Sequence, residues 1–265
     1  MERQLGAGRR MPVLFVGHGS PMNAIEDNRW SRAFRGLAPL LPRPRAILAV
    51  SAHFVTAGSV LTGQARPETV HDFGGFPDAL YRVRYPAPGA PELARRAAAL
   101  VAGDGARVVD GWGLDHGTWS VLVHLFPAAD VPVVQLSIDA ELDAAGHLAL
   151  GRALAPLRDE GVLVMGSGNL VHDLRHAFAA WRRGDATPPA WAARFDADAA
   201  AALERHDARW LVDAIASPEG RRAHPTPEHY LPLLYAAGAA GADPVRFPIT
   251  GFDMGSLSMR AALFG

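Results

Sequence analysis

Short apolar runs rich in Val, Ile and Leu alternate along the chain with longer stretches of Ala, Leu and Arg. The runs at 12–16, 46–51, 108–109, 131–137, 161–165 and 245–249 are strand candidates, and several are continuous rather than alternating, the pattern of strands covered on both faces. Segments 29–41, 90–102, 117–126, 140–159, 190–208 and 227–237 read as helices between them. The second is the best signalled, with Pro91 and Glu92 at its start and Gly103 at its end. This alternation predicts an α/β fold: a single domain with a central, mostly parallel sheet flanked by helices, and a site at the strand carboxyl ends. Two Pro- and Gly-containing breaks, 62–88 and 182–189, show no composition shift large enough for a domain boundary. Residues 11–265 are therefore expected to form one domain, behind a flexible extension at 1–10.

Composition narrows the function. Hydrophobic residues make up 49% of the 265, enough for a sizeable core. A net charge of −1 leaves no positive excess for phosphates, so nucleic acid is not an expected partner. With no Cys, disulfides, thiolate zinc sites and cysteine nucleophiles are excluded, and a metal must be held by nitrogen or oxygen. No window approaches the ~18 consecutive apolar residues of a membrane span. The apolar stretch 11–16 is too short for a signal sequence, so a cytoplasmic location is expected. Monomer and homodimer both remain open.

Eleven histidines in a Cys-free chain are the feature to explain. His18 follows an apolar run in Gly17-His18-Gly19-Ser20-Pro21, and His53 follows another in Ser51-Ala52-His53-Phe54. Asn169 and His172 follow a third in Gly166-Ser167-Gly168-Asn169-Leu170-Val171-His172. Three strands thus deliver polar residues just past their carboxyl ends, the edge where open parallel sheets bind ligands. His116 lies between glycines, with Asp115 or Thr118 able to cap the next helix. His229 follows Thr226 and Pro227, a cap and a first helical residue, which place it in a rigid first turn. His172 and His176, four apart, could share a helix face. His71, His124, His147, His206 and His224 read as structural or exposed. Neither Gly-rich segment fits a phosphate-loop pattern, and Ser167 is not in a nucleophile elbow. The loop 62–88 carries Phe73, Phe76, Tyr81 and Tyr85 among its glycines and prolines, as a lid over a site would.

These segments, with His71-Asp72-Phe73-Gly74-Gly75-Phe76-Pro77, Tyr85-Pro86-Ala87-Pro88-Gly89, Leu114-Asp115-His116-Gly117-Thr118-Trp119 and Glu228-His229-Tyr230, together resemble the DOPA 4,5-dioxygenase branch of the LigB-like class III extradiol dioxygenases. The similarity runs in order from about Met11 to the C-terminus. It implies one mononuclear divalent metal held by His18, His53 and His229, a three-histidine set in which His229 stands where protocatechuate-type relatives have Glu. His172 matches an acid–base residue or an additional, fourth ligand, and His116 a second active-site histidine near substrate and oxygen. Ser20, Phe73, Phe76 and Asn169 are the candidate substrate-binding residues. Plant relatives usually have Tyr at the position of Gly74, so the pocket wall departs from theirs. The implied activity is ring cleavage of a catechol, DOPA-like substrate with O₂ as co-substrate and Fe(II) at the metal. Three neutral imidazoles also suit Zn(II), so a zinc-dependent hydrolase and a non-catalytic metal- or ligand-binding relative are the alternatives.

Overall fold

Successive side chains of a strand point to opposite faces, and the first strand, β1 (Val13–Gly17), shows why its apolar run is unbroken. Val13 and Phe15 enter one hydrophobic core, Leu14 and Val16 the other. The same division holds for β2 (Ala46–Thr56), where Leu48 and Val50 oppose Ile47 and Ala49. The structure, a computed structural model, describes residues 10–101 and 106–265. Most of the expected extension at 1–10, and the helix end expected at Gly103, lie outside the described residues. Arg10 is described, and its guanidinium donates to the Ala155 carbonyl at 3.1 Å.

The remaining strands are β3 (Val60–Thr62), β4 (Arg107–Val109), β5 (Val133–Asp139), β6 (Val162–Gly168), β7 (Val245–Ile249), β8 (Phe252–Asp253), β9 (Leu257–Ser258) and β10 (Ala261–Phe264). Eight of them form one sheet in the order β4-β3-β5-β2-β6-β1-β10-β7, and β8 pairs with β9. The central strands β5, β2, β6 and β1 are parallel, so their carboxyl ends share one edge. β10 runs antiparallel between β1 and β7.

The helices are α1 (Arg29–Leu37), α2 (Asp78–Tyr81), α3 (Pro91–Val101), α4 (His116–Leu125), α5 (Ala144–Leu154), α6 (Leu174–Arg182), α7 (Ala190–Glu204), α8 (Ala208–Ala214), α9 (Pro218–Ala223) and α10 (Leu231–Ala240). α1 and α4 cover one face with Trp30, Phe34, Trp119 and Leu122. α3, α5, α7 and α10 cover the other. The fold is thus the expected helix–sheet–helix sandwich. Among the described residues, no helix is long and apolar enough to cross a membrane.

Several local expectations shift. The helix expected at 140–159 begins at Ala144, because the Asp143 carboxylate caps the Gly146 amide at 2.8 Å, and after Leu154 it tightens into a 3-10 turn containing Pro156. The run at 245–249 forms an edge strand with alternate residues exposed, not a strand buried on both faces. β3 and β10 are unannounced by periodicity because three or four residues are too few to show one.

Candidate metal centre

His18 follows β1 directly; its amide donates to the Gly168 carbonyl at 3.0 Å, and Asn23 holds its carbonyl at 3.2 Å. His53 does not lie past its strand. β2 continues to Thr56, and its register against β5 shifts between Val50 and Val55, so His53 sits in an irregular stretch inside the strand. Such an irregularity re-aims a side chain. His229 ends a 3-10 turn, Pro227–His229, rather than opening an α-helix. Thr226 makes no cap: its hydroxyl donates to Glu228 at 2.7 Å. That turn lies directly on β6. A Cβ at Gly168 would come within 2.1 Å of the His229 carbonyl oxygen, and that carbonyl accepts from the Asn169 amide at 2.9 Å. Glycine here serves close packing that delivers His229. His116 opens α4, whose N-cap is Asp115, accepting from the Thr118 amide at 3.1 Å.

The four rings converge. Ring centres of His18, His53 and His229 are 5.1, 5.4 and 5.1 Å apart pairwise. Imidazoles bonded to one ion at ~2.0–2.1 Å keep their ring centres about 4.5–5.4 Å apart for ligand angles of about 90–115°, so this spacing suits a shared ion. His116 lies 3.9 Å from His53, ring centre to ring centre, tighter than that. Nitrogens of His18, His53 and His116 fall within 4.8 Å of one another, and potential ligand atoms of His172, Glu228 and His229 form an adjoining group.

Hydrogen bonding assigns the tautomers. The Ser167 hydroxyl donates to the Gly117 carbonyl, so its oxygen must accept from His18 Nδ1–H, 3.0 Å away. The carboxylate of Asp72 faces Nδ1 of His116 at 2.9 Å and Nδ1 of His53 at 3.3 Å. Glu228 accepts from His229 Nδ1 at 3.2 Å. His18, His116 and His229 therefore carry their protons on Nδ1 and present bare Nε2 lone pairs, and the Asp72 carboxylate beside His53 Nδ1 favours the same tautomer there. With His53 in that tautomer, its Nε2 and the Nε2 of His18 face each other at 3.1 Å as two lone pairs. Two lone pairs so placed repel unless a cation lies against both, and two ligand nitrogens on one ion are separated by about 3.0–3.4 Å.

Burial reinforces neutrality. It pushes His18 and His229 well below the usual histidine range, with neighbouring histidines adding to the effect. Burial followed by the nearby His116 lowers His53 to about 3. Asp72 behaves oppositely: burial pushes its carboxyl up, but hydrogen bonding from His116 and the adjacent imidazoles outweigh this and hold it ionised. Neutral imidazoles backed by an anion are the donor set that a divalent metal takes, and the carboxylate raises their basicity. The residues present thus fit one nitrogen-ligated divalent ion.

The other expected residues are more dispersed. His172 stacks on His229, ring centres 3.4 Å apart and planes within 6°. His176 does not join it; its ring packs edge-on against Trp191. Asn169 is fully buried, its amide nitrogen donating to the Ser258 carbonyl at 2.8 Å while its Oδ1 has no partner. Ser20 caps the short turn Pro21–Ala24 by accepting from the Met22 amide at 3.2 Å. Phe73 packs edge-on against His116 and touches Phe76, Tyr81 and Trp119, so the aromatic loop walls the His116 side. Asp72, Ser167 and Glu228 have no assigned role in the sequence reading. An acid beside a histidine in a Gly-rich loop gives no local sign that it will meet two other histidines across the fold.

The chain matches the family model described as the catalytic LigB subunit of aromatic ring-opening dioxygenase over residues 12–265. It belongs to the LigB family. Among curated LigB-type relatives, it is 48% identical to a protein from Escherichia coli strain K12 named 4,5-DOPA dioxygenase extradiol, over 97% of this chain and 95% of the relative. A protein of the same name from Beta vulgaris is 41% identical over 86% and 87%. A crystal structure of an uncharacterized protein from Escherichia coli K12 superposes with a TM-score of 0.83 at 44% identity, covering 97% of this chain and all of that one.

Proposed function

We propose that this LigB-family chain is a non-haem, metal-dependent extradiol dioxygenase that opens the ring of a catechol bearing a DOPA-like side chain, with O₂ as co-substrate. The observation that carries it is the pair of facing Nε2 atoms on His18 and His53, 3.1 Å apart, with His229 completing a neutral three-imidazole set. His18, His53 and His229 would hold the metal. Fe(II) bound there would supply a redox-active centre through which an electron-rich catecholate and O₂ could exchange electron density.

The chain's own groups handle protons and orientation. His172 is suited to take a catechol hydroxyl proton. Burial holds it neutral, down to about 4, and it lines the cleft beside His229. Its stacking argues against a fourth-ligand role: a nitrogen lone pair lies in its ring plane, and planes parallel at 3.4 Å do not meet on one ion. His116, turned by Asp72, presents its bare Nε2 towards the same centre and is positioned to accept a hydrogen bond, or a proton, from a substrate hydroxyl. The unpartnered Oδ1 of Asn169 can accept from a substrate hydroxyl, and Phe73 and Phe76 supply an aromatic wall. Anaerobic loading with Fe(II), followed by oxygen uptake against a panel of catechols, tests the reading. Stoichiometric uptake with an absorbing ring-opened product is expected; absence of uptake with every catechol would reject it.

A further inference from the structure

The His172–His229 pair lines a cleft of about 520 Å³ whose lining also carries three arginines. Arg221 and Arg222, in the last turn of α9, and Arg175, in the first turn of α6, all line it. Among the described residues, none of the three is ion-paired. Arg222 lies over the Trp191 ring at 4.8 Å, and Arg221 donates one N–H to the Ala216 carbonyl. Each guanidinium carries five N–H donors, so both keep donors in reserve.

The two carboxylates on the cleft are already engaged. Asp173 caps α6, accepting from the His176 amide at 3.0 Å. Glu228 accepts from the Thr226 hydroxyl at 2.7 Å and from His229 Nδ1 at 3.2 Å. Three guanidinium cations against two carboxylates, each with one oxygen already accepting local hydrogen bonds, leave the lining with a net positive charge. Guanidinium forks match a carboxylate in shape as well as charge.

We propose that Arg221 and Arg222, together with Arg175, form an anion-reading rim that selects catechols carrying a side-chain carboxylate, the ring entering towards His172 and His229. This rests on the catechol reading of the site and adds what decides among catechols. The carboxylate is the recognised group and an amine is dispensable, because an ammonium would sit beside like charge. A catechol acid without an amine then binds at least as well as DOPA, and dopamine binds worst.

The test is anaerobic calorimetry on the Fe(II)-loaded full-length protein with hydrocaffeate, DOPA, dopamine and a neutral alkyl catechol. Charge-assisted hydrogen bonds are stronger than neutral ones but are screened at a partly open rim, so a preference of roughly tenfold for hydrocaffeate over the neutral catechol is expected. Added salt should erode that ratio in the wild type. In an Arg221→Gln, Arg222→Gln double variant, the ratio within the same preparation should fall below about threefold, because one or two charge-assisted contacts are gone. A wild-type ratio near one, a ratio indifferent to salt, or a ratio that survives the double substitution would overturn the rim. Since binding is read without oxygen, an acid preference without any ring cleavage would sink the proposed activity and leave the rim standing.

Discussion

The two sides of the histidine cluster are held in different ways. On the strand side, His18 and His53 are borne by β1 and β2; Nδ1 of His18 and of His116 have fixed acceptors in Ser167 and Asp72, and the same Asp72 carboxylate lies 3.3 Å from Nδ1 of His53. On the loop side, His229 rides a 3-10 turn and His172 a connection after β6, with the two rings supporting each other by stacking at the edge of an open cleft. The sheet fixes what must not move if an ion is to be held at short bond lengths. The loops carry what must meet a substrate that enters and leaves. Metal affinity should therefore depend on the strand side together with His229, the one loop-side ligand, and turnover on the rest of the loop side.

The largest expected effect is loss of the metal. Replacing His18 by Ala removes one of the facing Nε2 atoms, and no Cys or spare ligand stands behind it; metal content after gel filtration should fall from stoichiometric to near zero. His53→Ala and His229→Ala should behave alike. Full metal in His18→Ala would move the centre elsewhere and erase the distinction between the sides.

Next comes a loss of turnover with the metal kept. His172→Gln retains a hydrogen-bonding side chain but cannot accept a proton at neutral pH. General acid–base catalysis typically contributes 10²–10⁴-fold, and kcat should fall by about that much while metal content stays at the wild-type level. A His172→Gln protein that purifies without metal would make His172 a ligand and place it with the strand side.

A smaller effect separates the supports of the strand side from one another. Asp72→Asn removes the anion shared by His53 and His116, whereas Ser167→Ala removes a neutral acceptor from His18 alone. Supporting partners of ligands are typically worth 10–100-fold in metal affinity. Competition with a chelator should show a loss of about that size for Asp72→Asn and a lesser one for Ser167→Ala. Equal losses would mean that the shared carboxylate has no special role.

The sequence and the structure part company at recognisable places. The strands of the central sheet are legible because burial on both faces demands unbroken apolar runs, as in Val13–Gly17 and Val162–Gly168. His18 and Asn169 are legible for the same reason, since a polar residue that ends such a run lies at the ligand-binding edge. His53 is legible as a residue but not in its setting, because the register shift inside β2 depends on pairing with β5. Gly166 and Gly168 read ambiguously: the same spacing that hints at a phosphate loop serves to admit the backbone at Pro232 and His229. Asp72 is the clearest gap. Its partners are 19 and 44 residues away in a fold that must close before the contacts exist.

The smallest effect concerns a histidine outside the centre and tests whether buried neutrality is a property of the whole region. His224 is buried, its Nε2 held by the Leu170 carbonyl at 3.0 Å and its Nδ1 unpartnered. Burial lowers it to about 3, against about 6.5 in an unfolded chain. Its folded pKa lies below its unfolded one, so between those values the unfolded state binds the extra proton and stability rises with pH. The contribution is complete above pH 6.5 and is lost progressively as pH falls towards 3. Each such proton gives a slope of about 1.4 kcal/mol per pH unit at most. Metal-free protein melted in urea at pH 7.5, 6 and 5 should therefore weaken steadily. In His224→Gln, which keeps an N–H for Leu170 but does not titrate, the decline should be shallower by about 1 kcal/mol per pH unit below 6. Parallel declines in the two proteins would show that His224 takes up its proton without unfolding, and neutrality would then belong to the metal centre alone.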